Sequence, residues 1–343
     1  MSGKVDGIVR VALIGSGGIA AAHVNGFKKH ADKIKCVAMV DVSEDNLKKR
    51  QEQYGQSVRT FGDWKVMLKE MKGEIDAVDI CLPHHLHGPA ILDACAAGKH
   101  VLCEKPMCMS LAEADQIAQA VKTSGVTYMS GHNQLFMPVV QEAKRMIDAG
   151  EIGRVLWLRS QDCFKAGGDA GHVNWNWRAD KKTQGGGELI DTGYHPSYRL
   201  LHLAGAKVEK IVCTMGRYVQ PIEGEDTASV QVRFENGAIG EILTSWAFAN
   251  PYGSNQIHVI GEKGQIFGSE NALNFLPKGF TEPAKRTFEA VATFEAQMGH
   301  FADCLKEGKR PIHSVEEGRA VLELILKASE CAEGWQGCAV KKI

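Results

Sequence analysis

Three side chains could carry proton chemistry together: Lys105, Asp191 and His195. An imidazole that titrates near about 6.5 can take a proton from a hydroxyl at neutral pH. Asp191 stands four residues before His195 in a helical pattern running from Glu188 to Leu203, so the two are expected on one helix face. Leu189, Ile190, Leu200, Leu201 and Leu203 cover other parts of that helix. Lys105 lies in Glu104-Lys105-Pro106 at the end of a short strand. There it offers three donors to hydroxyls and a cation that helps to deprotonate an alcohol. Trp175-Asn176-Trp177-Arg178 precedes the helix. Tryptophans in a polar loop can form the wall on which a sugar ring packs, while Asn176 and Arg178 supply directed hydrogen bonds. Blander roles exist for each: an Asp/His pair at this spacing is common on helix surfaces, and either tryptophan could anchor its loop.

These groups need a scaffold, and the first third of the chain supplies one. Short apolar runs (Val9–Ile14, Ile34–Asp41, Ile75–Leu82, His100–Cys103, Val126–Ser130) alternate with helical patterns. The helices are expected over Ile19–Lys29, Glu44–Tyr54 after Ser43 as N-cap, Pro89–Ala97 up to Gly98, and from Ser110 to about Lys122. That alternation implies a parallel sheet with helices on both faces. Gly15-Ser16-Gly17-Gly18-Ile19-Ala20 joins the first strand to the first helix. A small first residue permits the tight turn, and the second glycine lets backbone approach a pyrophosphate. The phosphates would sit on the positive end of the helix. The second strand ends at Asp41, whose carboxylate can accept hydrogen bonds from ribose hydroxyls. No arginine follows in Val42-Ser43-Glu44-Asp45, which favours NAD over NADP. The cofactor-binding set is therefore Gly15, Gly17, Gly18, Ile19 and Asp41.

Near His132 the rhythm changes. A helix is expected over Pro138–Ala149, a long strand over Val155–Phe164, and a loop over residues 165–187. Strands fill Val208–Phe267, with hairpin turns at Glu235-Asn236-Gly237 and Glu262-Lys263-Gly264. Residues 270–290 read as an irregular connection, and helices at about 290–307 and 315–332 close the chain. The fold class is α/β: an N-terminal Rossmann domain with a parallel sheet (residues 1–132), then an α+β domain with a largely antiparallel sheet (133–343). The last helices would pack back on the first domain.

Leu82-Pro83-His84-His85-Leu86-His87 and Glu104-Lys105-Pro106 both fall at carboxyl ends of parallel strands, where open α/β sheets bind ligands. The three histidines have no carboxylate or thiolate at ligand-like spacing, so we expect no metal there. Leu82, Pro83, His87 and Glu104 are expected to line the cofactor, and His132 the substrate.

The glycine loop, the Pro-x-x-x-His turn, the Gly98-to-Pro106 run and the later Gly-Gly-Gly-x-x-x-Asp-x-Gly-x-His segment together resemble the glucose–fructose oxidoreductase and inositol dehydrogenase family (Gfo/Idh/MocA) over most of residues 9–268. The resemblance implies that Lys105 hydrogen-bonds substrate and cofactor ribose. It further implies that His195 is the acid/base, that Asp191 positions substrate and imidazole, and that the Trp-Arg pair lies near both ligands. It also implies a homodimer or homotetramer. The sequence departs from the family at two places. His195-Pro196-Ser197-Tyr198 replaces a usual His-x-x-Asp, and Leu135-Phe136 replaces an Arg-Phe pair.

Lysine plus arginine (40) nearly balances aspartate plus glutamate (41), which argues against nucleic-acid or membrane-surface partners and for a small molecule. The ten cysteines form no CxxC pair, and several lie in apolar runs, as expected of reduced thiols in a reducing compartment. The opening segment lacks a signal-peptide pattern, and no run is long enough to span a membrane, so a cytoplasmic location is expected. The expected activity is NAD-dependent oxidation of a secondary hydroxyl of a sugar, glycoside or inositol-like polyol. Two other readings stand beside it: redox-neutral cleavage or epimerisation of a glycoside with NAD recycled in each turnover, and a non-catalytic dinucleotide sensor.

Overall fold

The computed structural model describes residues 4–167 and 175–334 of the chain. Part of the expected loop 165–187, and Cys338, lie outside the described residues. The chain divides into two compact units. The first holds residues 1–141, 182–185 and 288–322, the second 142–181, 186–287 and 323–343.

In the first unit β1 (Val9–Ile14), β2 (Ile34–Val40), β3 (Arg59–Phe61), β4 (Ala77–Ile80), β5 (His100–Glu104) and β6 (Tyr128–Gly131) form one parallel sheet. Its order is β3-β2-β1-β4-β5-β6. The chain reverses its direction of travel between β1 and β4, which opens a ligand crevice at the carboxyl ends of the strands. Helices α1 (Ala20–Lys29), α2 (Glu44–Tyr54), α3 (Trp64–Glu70), α4 (His87–Ala96) and α5 (Leu111–Ser124) connect them. The expected caps are in place: Ser43 accepts from the Asn46 amide and Ser110 from the Glu113 amide. Two elements add to those read from the sequence, the three-residue β3 and the helix α3, which Asp63 caps. Val11, Leu13, Val24, Phe27 and Met39 are fully buried in the core of this unit. Helix α11 (Thr293–Glu307) packs its Met298 and Phe301 into the same core, and a side chain at Gly26 of α1 would stand 2.8 Å from the Met298 Cβ.

The second unit contains most of α6 (Pro138–Asp148), then β7 (Val155–Cys163), the short helices α7 (Trp175–Arg178) and α9 (Glu188–Asp191), and α10 (Tyr194–Ala204). The intervening turn α8 (Lys181–Gln184) belongs mainly to the first unit. Strands β8 (Val208–Gly216), β9 (Thr227–Phe234), β10 (Ile239–Ser245), β11 (Ile257–Gly261), β12 (Gly264–Ser269), β13 (Ala272–Pro277) and β14 (Ala284–Thr287) join β7 in an eight-stranded sheet. Only β7 and β10 pair in parallel; the rest of the sheet is antiparallel. Helix α12 (Val315–Glu333) closes the described chain. Among the described residues no helix is long and apolar enough to cross a membrane.

The structure corrects two expectations. Residues 270–290 are not irregular throughout, because β13 and β14 extend the sheet there. Pairing with β12 supplies the order that the Pro- and Gly-punctuated local sequence does not announce. The helix expected from Glu188 to Leu203 is broken at Thr192–Gly193 into α9 and α10. A side chain at Gly193 would stand 2.7 Å from the Leu189 backbone, so the chain turns through a passage that only glycine fits.

Helix α10 is tied to β7 by Arg199, which is fully buried and donates to Ser160 Oγ (3.1 Å) and the Gln161 carbonyl (2.8 Å). At the head of β9, buried Asp226 accepts from the amides of Tyr218 (3.0 Å), Val219 (2.7 Å) and Gln220 (2.9 Å). Burial pushes its carboxyl up, but these donors outweigh burial and hold it below the usual carboxylate range. A depressed folded-state pKa contributes stability above the unfolded value of about 3.9 and loses it as pH falls through the folded value. Asp226→Ala should therefore cost about 3 kcal/mol at neutral pH, with the deficit closing in strong acid. Thermal unfolding against pH measures this, and an unchanged midpoint at neutral pH would refute it.

Candidate functional site

The expected site residues fall into two groups, one in each unit. In the first unit, Gly15 leaves β1 with φ at +91°, and a Cβ there would lie 2.4 Å from the Cys81 carbonyl. Glycine is required because the end of β4 crosses so closely. Gly17 and Gly18 instead face open space: nothing lies within 4 Å of where their side chains would be. Helix α1 opens at Ile19 without a side-chain cap, so its first amides are suited to an anion. The Ser16 hydroxyl is buried with no hydrogen-bond partner. Open glycines, an uncapped helix start and an orphaned hydroxyl fit a dinucleotide pyrophosphate.

Asp41 stands at the end of β2, where its carboxylate accepts from the Ser16 amide (2.7 Å) and the Ser43 amide (2.8 Å). The acid thus holds the glycine loop as well as the position where a ribose would be read. Leu82 and Pro83 follow β4 and are half-buried, and Lys105 is half-buried directly after Glu104, the last residue of β5.

His87 does something other than present a nitrogen to a ligand. Its Nε2 faces the Leu82 carbonyl at 2.7 Å and its Nδ1 the Pro106 carbonyl at 2.6 Å. The ring sits between the turn after β4 and the turn after β5, and burial lowers its pKa, so the neutral imidazole donates to one of the two carbonyls at a time. His84 and His85 direct Nδ1 to the carbonyls of Gln184 (2.7 Å) and Thr183 (3.2 Å), so both hold backbone. His132 pairs Nδ1 to Nδ1 with His313 at 2.7 Å, both rings buried. Leu135, at the first family departure, is fully buried, and Phe136 packs on His300.

In the second unit Asp191 forms an ion pair with Arg178, whose Nε lies 2.6 Å from its carboxylate. The Arg178 guanidinium also lies 4.2 Å from the Trp177 ring centroid. Trp175 packs edge-on against buried Trp246 at 5.5 Å, so it anchors α7 to an apolar cluster that includes Ile222. His195 stands in the first turn of α10, half-buried, with Nδ1 2.7 Å from the Tyr198 hydroxyl. Tyr198 occupies the position of the carboxylate missing from the family pattern, and its hydroxyl lies at hydrogen-bond distance from the His195 ring. With Nδ1 protonated and donating to the tyrosine oxygen, Nε2 carries the lone pair.

Sequence reasoning missed Tyr198 as a partner, although its spacing from His195 was visible. It also missed His23, Asp79 and Trp246. His23 is a buried histidine among small and apolar residues of α1, and Asp79 a charge inside an otherwise apolar strand. Those two anomalies were the available signal. His23, Asp79 and Cys81 also place one possible ligand atom each within 4.8 Å of one another. The nine described cysteines are all free, and burial pushes the Cys36, Cys81 and Cys108 thiols up to about 12.

Comparison with known proteins matches both units. The family described as an oxidoreductase family with NAD-binding Rossmann fold matches residues 9–132, and the Gfo/Idh/MocA C-terminal domain matches residues 140–267. The chain is 28% identical over 337 residues to scyllo-inositol 2-dehydrogenase (NAD(+)) of Bacillus subtilis (strain 168), covering 94% of this chain and 93% of that protein. It is 27% identical over 338 residues to myo-inositol 2-dehydrogenase of Thermotoga maritima, covering 95% and 96%. An oxidoreductase from Agrobacterium radiobacter, solved with NAD+, L-tartaric acid and magnesium, shares the fold with TM-score 0.85 at 22% identity over 95% of this chain and 96% of that one. Matched over both its glycine-loop unit and its mixed-sheet unit, the chain belongs to the Gfo/Idh/MocA family of NAD-binding oxidoreductases.

Proposed function

We propose that the protein is an NAD-dependent dehydrogenase that oxidises a secondary hydroxyl of a sugar, glycoside or inositol-like polyol. The observation that carries this reading is the His195 imidazole, fixed at Nδ1 by Tyr198 in a family whose other unit binds the dinucleotide. The names of two relatives, both inositol 2-dehydrogenases, support the polyol class.

NAD, when bound, supplies the hydride acceptor. His195 Nε2 takes the hydroxyl proton, and Tyr198 holds the ring so that the lone pair stays on that nitrogen. Lys105 donates to the oxygen that becomes an alkoxide and stabilises its charge. Asp191, braced by Arg178, orients the substrate hydroxyls, and Trp177 offers a ring face to the sugar. The half-exposed Trp157, His258 and Phe267 and the exposed Ile239 share one face of the second unit's sheet and would support a homodimer or homotetramer.

Inositols, aldoses and anhydrosugars offered with NAD test the reading by the rise of NADH absorbance. At least one polyol or glycoside should be turned over. Silence across the panel from protein that binds NAD would favour the sensor reading.

Cofactor choice is a separate prediction. Asp41→Ala should weaken NAD binding by about 10–150-fold, the loss of a charge-assisted hydrogen bond, while NADP loses less or gains. Titrating both cofactors checks it, and equal losses would contradict the assignment of Asp41 to the ribose.

A further inference from the structure

A buried chain of charge runs through the first unit beneath the glycine loop. His23, one turn into α1, has Nδ1 2.8 Å from Asp79 Oδ2 on β4 and Nε2 3.1 Å from Glu104 Oε1 at the end of β5. His23 and Asp79 are 1% and 0% exposed, and Glu104 is 7% exposed. An imidazole can donate to two carboxylates only when both nitrogens carry protons. Burial alone would lower the His23 pKa, but the adjoining Asp79 carboxylate outweighs it and holds the ring well above the usual imidazole value. Either carboxylate left alone in this interior would be an uncompensated charge, so the three groups stand or fall together.

The bridge also has a direction. Helix α1 begins at the glycine loop, and Glu104 is followed at once by Lys105, so His23 links the two cofactor-binding stretches of this unit. Among the described residues, His23 is the only side chain that hydrogen-bonds the Glu104 carboxylate. We propose that His23 is a positioning residue for the dinucleotide: bridging Asp79 and Glu104, it fixes the Glu104 carboxylate and the Lys105 turn relative to the glycine loop. This rests on the reading that the Glu104–Lys105 turn contacts the cofactor. A metal on His23, Asp79 and Cys81 is the less favoured use of the cluster. Both imidazole nitrogens face carboxylates, and burial keeps the Cys81 thiol protonated, with its pKa at about 12.

The test is a double-mutant cycle on NAD+ affinity, read by binding titration well below the thermal midpoint of each variant. His23→Gln cannot donate on both sides and should weaken NAD+ binding about tenfold. Glu104→Gln should weaken it to a similar degree. The double variant should be no weaker than the worse single one, because both act through one carboxylate. Additive losses, or wild-type affinity in folded His23→Gln, would overturn the proposal. If His23→Gln fails to fold, Glu104→Gln decides alone: wild-type NAD+ affinity there overturns it. Asp41→Ala is the control for the underlying reading. If it weakens NAD+ while the cycle is additive, the cofactor site stands and the role of His23 falls. If the wild-type protein does not bind NAD+ at all, the cofactor reading itself has failed.

Discussion

Replacing His195 with alanine is expected to cut turnover by about 10²–10⁴-fold, the range that general acid–base catalysis contributes. Dinucleotide affinity should scarcely change, because the glycine loop and Asp41 belong to the other unit. Only neutral imidazole can accept the hydroxyl proton, so wild-type oxidation should rise with pH through one ionisation that His195→Ala lacks. Tyr198→Phe sharpens the point. It removes the hydroxyl 2.7 Å from Nδ1 but leaves the base in place. Its turnover should fall less than that of His195→Ala, with the ionisation kept but displaced. Steady-state kinetics across pH measure both. Near-normal turnover of His195→Ala with an unchanged profile would mean that another group takes the proton.

Lys105→Ala is expected to slow turnover by about 10²–10³-fold, the usual cost of removing one preorganised donor from a developing oxyanion. The defect differs in kind from that of His195→Ala. Charge stabilisation is lost while the base remains, so the pH dependence of oxidation should survive at a lower rate. Lys105→Arg keeps the charge but replaces a compact ammonium with a planar fork, and should recover only part of the loss. Equal pH profiles and comparable rates for Lys105→Ala and wild type would remove Lys105 from the reaction.

The parts of this site that could be read from the sequence are those whose reason is local. The glycine loop works through its own turn and the helix that follows, and Asp41 through its place at the end of a strand. Hairpins at Glu235-Asn236-Gly237 and Glu262-Lys263-Gly264 announce themselves by turn residues, and the β9–β10 and β11–β12 pairs form there. What escaped depends on partners far along the chain. The break before α10 comes from backbone crowding at Gly193, and β13 and β14 from a neighbouring ladder. The His23 bridge joins residues 56 and 81 positions apart, which no periodicity reveals. The sequence puts His87 at the ligand edge of the sheet, where it is expected to line the cofactor. Its two carbonyl partners, Leu82 and Pro106, show that a residue beside a site can serve by tying its loops together.

In the proposed reaction a carbinol hydride leaves the substrate for NAD while His195 takes the hydroxyl proton. It is tested most directly with a turned-over polyol deuterated at the oxidised carbon, following product and cofactor together. One NADH should form for each ketone, with the deuterium carried on the nicotinamide and turnover slowed by the isotope unless product release limits the rate. Product that accumulates without net NADH, or NADH that carries no deuterium, would contradict it.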